Sequence, residues 1–241
     1  RTRKSIIFVV KGCVYGVGYE LLPYVDKLVD SFAVSSVAEA NKVRSISNKN
    51  VLILSPVLSK DIEMIDDFIY SITSIEQLIH YKKNSISKLK ICIKLNTGLN
   101  RFGIGCNDID EILKKCFELD FDIVGVYTHM ANSTSNDVLS TDTEDQYGRY
   151  MICVNQIKEK FPNIETHYSD SSVLVKGSIR VKDVSSIRTG MFILGMDPIP
   201  SISNKFSNPY FVLSFIMVVL DKHAIKFSTL NGVLIQNHHI K

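Results

Sequence analysis

The chain has 241 residues, 45% of them hydrophobic, enough to bury a full core in one large domain or two small ones. Its 28 basic and 25 acidic side chains leave a net charge of +3 spread along the sequence, with no basic run or basic-aromatic stripe, which argues against nucleic acid as a partner. The longest apolar run, FVLSFIMVVL at 211–220, is about half of a bilayer crossing, so no membrane is implied, and no signal segment opens the chain. Five scattered cysteines, Cys13, Cys92, Cys106, Cys116 and Cys153, form no CxxC pair and have no histidine partners at zinc-finger spacing. They read as belonging to a reducing, cytoplasmic compartment with no metal site.

The opening RTRKSIIFVV has no methionine, and a natural N-terminal portion is expected to precede it. The first predicted strand, SIIFVVK (5–11), closes on Lys11, with Gly12, Cys13 and Tyr15 in the turn behind it. A second strand at 31–36 leads into a helix at 37–46, a third strand lies at 51–57, and a fourth at 68–74 meets a helix at 74–83. The fifth, KICIKLN (90–96), runs into the glycine-rich TGLNRFGIG with Arg101, then a helix at 107–119. The sixth, DIVGVYTHM (122–130), ends on Thr128 and His129 and precedes a helix at 146–161. The seventh, IETHYS (164–169), enters the hydroxyl-rich HYSDSS, and the eighth is SIRTGMFILG (186–195) with Arg188, Gly190 and Met191.

Eight apolar, β-branched runs alternating with helices predict an α/β fold, a (β/α)8 TIM-type barrel over residues 1–199. The segment DPIPSISNKFSNP (197–209) breaks the alternation before one last apolar strand at 211–220. Residues 200–241 are therefore expected to be a linker and the truncated start of a C-terminal β-domain, because the last stretch falls below the roughly 40 residues a separate core requires.

In this fold the chemistry sits at the C-terminal ends of the strands. Taken singly, each polar strand end has an ordinary explanation. Lys11 can reach water, Arg101 can be a surface loop residue, and His129 can be a hydrogen-bonded structural imidazole. Together they describe more. A lysine after the first strand, a basic group and a histidine opposite, and hydroxyls with free N–H groups after strands seven and eight fit pyridoxal 5'-phosphate, with Lys11 holding its aldehyde as a Schiff base.

The same residues resemble the alanine racemase family, the fold-type III pyridoxal phosphate enzymes. FVVKGCVYGVG (8–18) is similar to that family's strand-one signature, a V-K pair followed by A-Y-G-H-G. FAVSSVAEANKVR (32–44) resembles its second strand and helix, and KLNTGLNRFGI its TGMNRLG block. VGVYTHMANS, HYSDSS and SIRTGMFILGMDP complete the series in order from 5 to 198. The resemblance implies a racemase, most simply of alanine, in which Lys11 carries the cofactor as an aldimine and then acts as acid and base on one face of the substrate. Tyr15, Ser171 and the N–H groups of Gly190 and Met191 are expected at the phosphate, and Arg188 at the pyridine nitrogen. His129 is expected to hydrogen-bond Arg188, and Arg101 to reach the cofactor phenolate and the substrate carboxylate. Lys94 aligns with a lysine that some members carry as a carbamate.

The family is a homodimer in which a tyrosine of the partner's C-terminal domain serves the other substrate face. Four positions depart from the pattern: Val17 for histidine, Asn96 for aspartate, Leu99 for methionine and Asp170 for asparagine. Asp170 adds a carboxylate near the expected phosphate, a repulsion of about 1 kcal/mol or more at ~4 Å unless it turns away or pairs with a cation. The alternative to a racemase is a non-catalytic pyridoxal phosphate-binding barrel or decayed racemase. A decarboxylase of the same barrel class is disfavoured by Arg188, since those enzymes set a carboxylate at the pyridine nitrogen.

Overall fold

The structure, a computed structural model, describes residues 4–58, 66–85, 87–131, 141–168, 170–176, 184–194, 216–221 and 224–228. Eight strands form one parallel sheet: β1 (Ser5–Val9), β2 (Ser31–Val34), β3 (Val51–Ile53), β4 (Ile69–Ile72), β5 (Lys90–Lys94), β6 (Asp122–Tyr127), β7 (Glu165–His167) and β8 (Ser186–Thr189). Hydrogen-bonded neighbours follow the order β7-β6-β5-β4-β3-β2-β1-β8. The two edges then meet. The Ser185 N–H donates to the Thr166 carbonyl at 3.0 Å, and the Thr166 N–H donates to the Ser185 hydroxyl at 2.6 Å, which curls the sheet into a nearly closed barrel.

Side-chain alternation explains why the strands read as continuous apolar runs. On β1, Ile7 and Val9 join Ala33, Leu52, Cys92 and Tyr127 in a cluster inside the barrel. Phe8, with Phe32, Ile53, Ile72, Ile93 and Val126, packs instead with helix residues such as Val43, Leu78, Ile112 and Tyr150. With both faces of the sheet buried, neither alternate set can be polar along most of its length.

All eight predicted strands are present, and each ends earlier than its apolar run. Lys11, Asn96 and His129, at or near the ends of their runs, stand past the strand ends in the loops at the C-terminal face. The surrounding helices follow their local signals. Ser36 caps Val37–Arg44 by accepting the Glu39 N–H, and Ser74 caps Ile75–Lys83 by accepting the Gln77 N–H. Helix Ile109–Glu118 buries Ile109, Ile112, Leu113 and Cys116, one face at three- and four-residue spacing. Helix Thr141–Lys160 begins five residues before its predicted start, because its first turn, with Asp142, Glu144 and Asp145, carries no apolar periodicity.

Two further strands, β9 (Ile216–Asp221) and β10 (Ala224–Ser228), pair antiparallel, with Ile225 opposite Val219 and Phe227 opposite Met217. The predicted linker at 197–209 lies outside the described residues, as do Ser169, Gly195 and 211–215 at the ends of predicted strands.

The cysteine pattern requires a correction. Cys106 and Cys153 are joined in a disulfide with their Cα atoms 5.5 Å apart, while Cys13, Cys92 and Cys116 are free thiols. A separation of 47 residues in sequence hides this proximity, which arises because helix Thr141–Lys160 packs beside the loop that follows β5. Among the described residues no helix is long and apolar enough to cross a membrane, and no cluster of three metal-ligating side chains occurs.

Candidate active site

The site starts at the end of β1. The Val10 N–H donates to the Ala33 carbonyl at 2.9 Å, holding this strand end against β2. The turn Lys11–Tyr15 is then left-handed, with Gly12 at φ 61°, Cys13 at 53°, Val14 at 57° and Tyr15 at 55°. Glycine adopts this freely, but each of the other three pays about 1–2 kcal/mol, and Val14 is β-branched. The turn is closed internally by the Gly16 N–H to the Gly12 carbonyl at 2.9 Å and the Gly18 N–H to the Cys13 carbonyl at 3.0 Å. Val14 is fully buried beneath it. Lys11 is thereby left exposed, its Nζ 5.8 Å from the centre of the Tyr15 ring.

After β5 the chain folds back on itself. The Ile104 N–H donates to the Lys94 carbonyl and the Asn96 N–H to the Ile104 carbonyl, both at 2.8 Å. Asn96 organises the loop between them, its Oδ1 accepting the N–H groups of Gly98 (3.3 Å) and Asn100 (3.0 Å). An amide oxygen thus supplies the acceptors here, where the family pattern has aspartate. Gly103, at φ 131°, allows the closure, since a Cβ there would lie 2.7 Å from the Asn96 nitrogen. Lys94 Nζ donates to the Arg101 carbonyl at 3.0 Å, so the loop carrying Arg101 is anchored to the strand interior. Burial, then the nearby guanidinium groups of Arg101 and Arg188, pull the Lys94 ammonium down to about 8.

The floor is built from β6, β7 and β8. Arg188 is buried and donates to His167 Nδ1, to the His167 carbonyl at 3.4 Å and to the Thr128 carbonyl at 2.7 Å. Its guanidinium lies 4.7 Å from the centre of the Tyr127 ring, which stacks on the His167 ring at 5.0 Å and 10°. Burial, then the Arg188 charge, hold His167 well below the usual histidine range, so it stays neutral and accepts. Here the sequence expectation is corrected. The imidazole that hydrogen-bonds Arg188 is His167 from within β7, not His129, because the strand directs His167 to the barrel axis beside β8. His129 lies beyond the end of β6, its Nε2 3.9 Å from Asp170 Oδ2. Burial and then Arg188 depress it to about 4, with Asp170 opposing the shift.

Asp170 itself caps the short helix Ser171–Lys176, its Oδ1 accepting the Val173 N–H at 3.0 Å. The local pattern of aspartate before a helix is a signal from which this role was readable. Ser171 Oγ lies 3.1 Å from Thr189 Oγ1 and accepts the N–H groups of Gly190 and Phe192, each at 3.3 Å. Two main-chain donors converge on one oxygen, and the second comes from Phe192, which the sequence did not single out. Gly190 is required by contact: a Cβ there would stand 2.5 Å from the Tyr15 hydroxyl. Burial, then the Asp170 carboxylate, push the Tyr15 phenol up, so it keeps its proton and can donate.

All eight predicted site residues, Lys11, Tyr15, Arg101, His129, Ser171, Arg188, Gly190 and Met191, line one cavity of about 490 Å³. Lys94, Tyr127 and Asp170 line it too.

A barrel of parallel strands with its polar groups gathered at their C-terminal ends defines the (β/α)8 class with an active-site-like mouth. Within that class the chain belongs to the alanine racemase family: residues 1–198 match the model described as alanine racemase, N-terminal domain. It is 31% identical over 203 residues to the alanine racemase of Francisella philomiragia, covering 80% of this chain and 54% of that protein. It is 36% identical over 178 residues to that of Francisella tularensis subsp. novicida, covering 69% and 47%. The chain thus spans about half the length of the curated relatives it matches. Among solved structures, the alanine racemase from Bacillus anthracis with bound L-Ala-P superposes with a TM-score of 0.76 at 21% identity, over 90% of this chain and 60% of that one. That of Clostridium difficile 630 gives 0.73 at 22%, over 85% and 55%. At such identities the structural likenesses speak for the fold.

Proposed function

We propose that this chain is the barrel portion of a pyridoxal 5'-phosphate-dependent racemase that interconverts L- and D-alanine, with Lys11 as the residue that holds the cofactor. The observation that carries the proposal is the convergence of Lys11, Tyr15, Ser171, Arg188 and Gly190 on one cavity of about 490 Å³. That volume suits a small aromatic cofactor with an amino acid beside it. The residues also fit the group chemically. The phenol of Tyr15, the hydroxyl of Ser171 and the N–H groups aimed at Ser171 Oγ suit a phosphate, and the gap left by Gly190 keeps Tyr15 within that nest.

Bound there, pyridoxal 5'-phosphate supplies the electron sink that makes the substrate's α-proton removable. Lys11, exposed on its rigid turn, removes or returns that proton on one face. Arg188 would stand at the pyridine nitrogen. A guanidinium donates a hydrogen bond without giving up its proton, so that nitrogen would stay unprotonated, which favours simple proton return over decarboxylation. Arg101 supplies positive charge for the substrate carboxylate. The opposite face requires a second base, and we assign it to a partner subunit of a homodimer.

A second reading, a barrel that binds the cofactor without racemising, draws on Asp170, whose charge lies close enough to raise Tyr15. Borohydride trapping followed by peptide mass mapping tests the proposal, with pyridoxyl label expected on Lys11. In deuterated solvent a separate, unreduced sample loaded with pyridoxal 5'-phosphate is expected to exchange the α-hydrogen of alanine, and Lys11→Ala to abolish this. Label elsewhere sinks the assignment, while label on Lys11 without exchange favours the second reading.

A further inference from the structure

We propose that Glu39 is a positioning residue for Lys11, a role that rests on the assignment of Lys11 as the cofactor-holding amine. Sequence Ser36–Glu39 has the form of a capping box, in which the glutamate would turn back to the Ser36 N–H. It does only half of that. Ser36 Oγ accepts the Glu39 N–H at 3.2 Å, but the Glu39 carboxylate leaves its own helix start. Oε1 accepts the Gly12 N–H at 2.7 Å, and Oε2 accepts the Ser35 N–H at 2.7 Å.

One carboxylate therefore ties the turn after β1 to the loop after β2, and it does so at the residue next to Lys11. The bonds inside that turn use the N–H groups of Val14, Gly16, Val17 and Gly18, while the Gly12 N–H goes to the outside acceptor Glu39. The turn needs one, because Cys13, Val14 and Tyr15 all sit at φ values that L-residues disfavour. An ionised acceptor makes short, strong hydrogen bonds to main-chain donors. Holding Gly12 fixes where the Lys11 backbone leaves the strand, and through the same turn it fixes Tyr15 against Gly190. Lys11 and Tyr15, expected at opposite ends of the cofactor, are set at a constant spacing by a residue that does not line the cavity.

The test compares Glu39→Gln with Ser36→Ala. The first keeps the side chain's size but turns one acceptor into an N–H that opposes a main-chain N–H. The second weakens the same helix start and leaves both carboxylate bonds in place. Pyridoxal 5'-phosphate affinity is read by absorbance titration, and label on Lys11 by borohydride trapping and peptide mapping. The expected result is an affinity at least tenfold weaker in Glu39→Gln, with label spread to other lysines. Ser36→Ala should stay within twofold of the parent chain, and Glu39→Asp should recover part of the loss. Equal losses in Glu39→Gln and Ser36→Ala overturn the role, because they would mark a merely structural helix start. Amide exchange on the unmutated chain gives a check free of folding defects: a Gly12 N–H that exchanges as fast as an open-loop amide also overturns it. If the unmutated chain takes no label on Lys11, the underlying site assignment fails first, and the Glu39 role falls with it.

Discussion

Arg188 donates to His167 Nδ1 inside the barrel, and both side chains are almost fully buried. A buried guanidinium cannot shed its charge and must find acceptors, and the two β7 acceptors, the imidazole and the carbonyl of His167, come from one residue. His167→Leu keeps the volume but removes the ring nitrogen. The expected outcome is a loss of about 3 kcal/mol in stability from the unmet donor, measured by urea denaturation. His129→Leu, which touches no Arg188 donor, should cost clearly less. Equal losses would mean that the Arg188–His167 bond carries no special weight.

The contact between Gly190 and Tyr15 makes a second prediction. Gly190→Ala places a methyl where the Tyr15 hydroxyl and ring edge now lie, at 2.5 and 2.7 Å. Tyr15 sits on the strained turn and cannot retreat freely, so the nest should open. Cofactor affinity is expected to fall by tenfold or more in an absorbance titration, with the melting temperature reduced only slightly. Unchanged affinity would show that Tyr15 has room to move.

The two corrections show where sequence stops being informative. The strands were legible because a parallel barrel buries both faces and so needs unbroken apolar runs, and strand-end residues such as Lys11 and His129 stood out against them. His167 did not, because a polar residue inside a strand reveals nothing of which interior neighbour it meets. Its partnership with Arg188 depends on β7 and β8 approaching across the barrel seam. The Cys106–Cys153 bond was hidden for the same reason, since packing rather than spacing brings it together. The left-handed turn was half legible. Gly12, Gly16 and Gly18 announced a turn, but Cys13, Val14 and Tyr15 are residues that oppose that conformation, and only the surrounding bonds impose it.

His129 gives a prediction in pH. Its folded value lies near 4 against an ordinary 6.5, through burial and then the Arg188 charge. Between pH 6.5 and 4 the unfolded chain therefore binds a proton that the folded chain refuses. Stability must fall as the pH drops through that window, and the loss is complete below it. The side chain is 36% exposed and faces Asp170, so solvent and that carboxylate reduce the effect. Melting temperatures followed from pH 7 to 4 should show a shallower decline in His129→Gln than in the parent chain. Parallel curves would refute the burial-driven depression of His129.

Lys94 gives the last. Its amine is pulled down to about 8 by burial, then by Arg101 and Arg188, so roughly a tenth of it is neutral at pH 7 and half at pH 8. A neutral amine can attack carbon dioxide, forming a carbamate and releasing one proton. The product reverses the local charge. A cation repelled by two guanidinium groups becomes an anion attracted to both, while the remaining N–H can keep the 3.0 Å bond to the Arg101 carbonyl. Incubation with ¹³C-bicarbonate at pH 8 is expected to give one slowly exchanging carbamate resonance, absent in Lys94→Arg. Because Lys94 anchors the loop of Arg101, bicarbonate should also slow amide exchange across 96–103 in the parent chain alone. No resonance at pH 8 would mean that the amine is either still protonated or closed to carbon dioxide, and the anchoring of Arg101 would then rest on the ammonium hydrogen bond by itself.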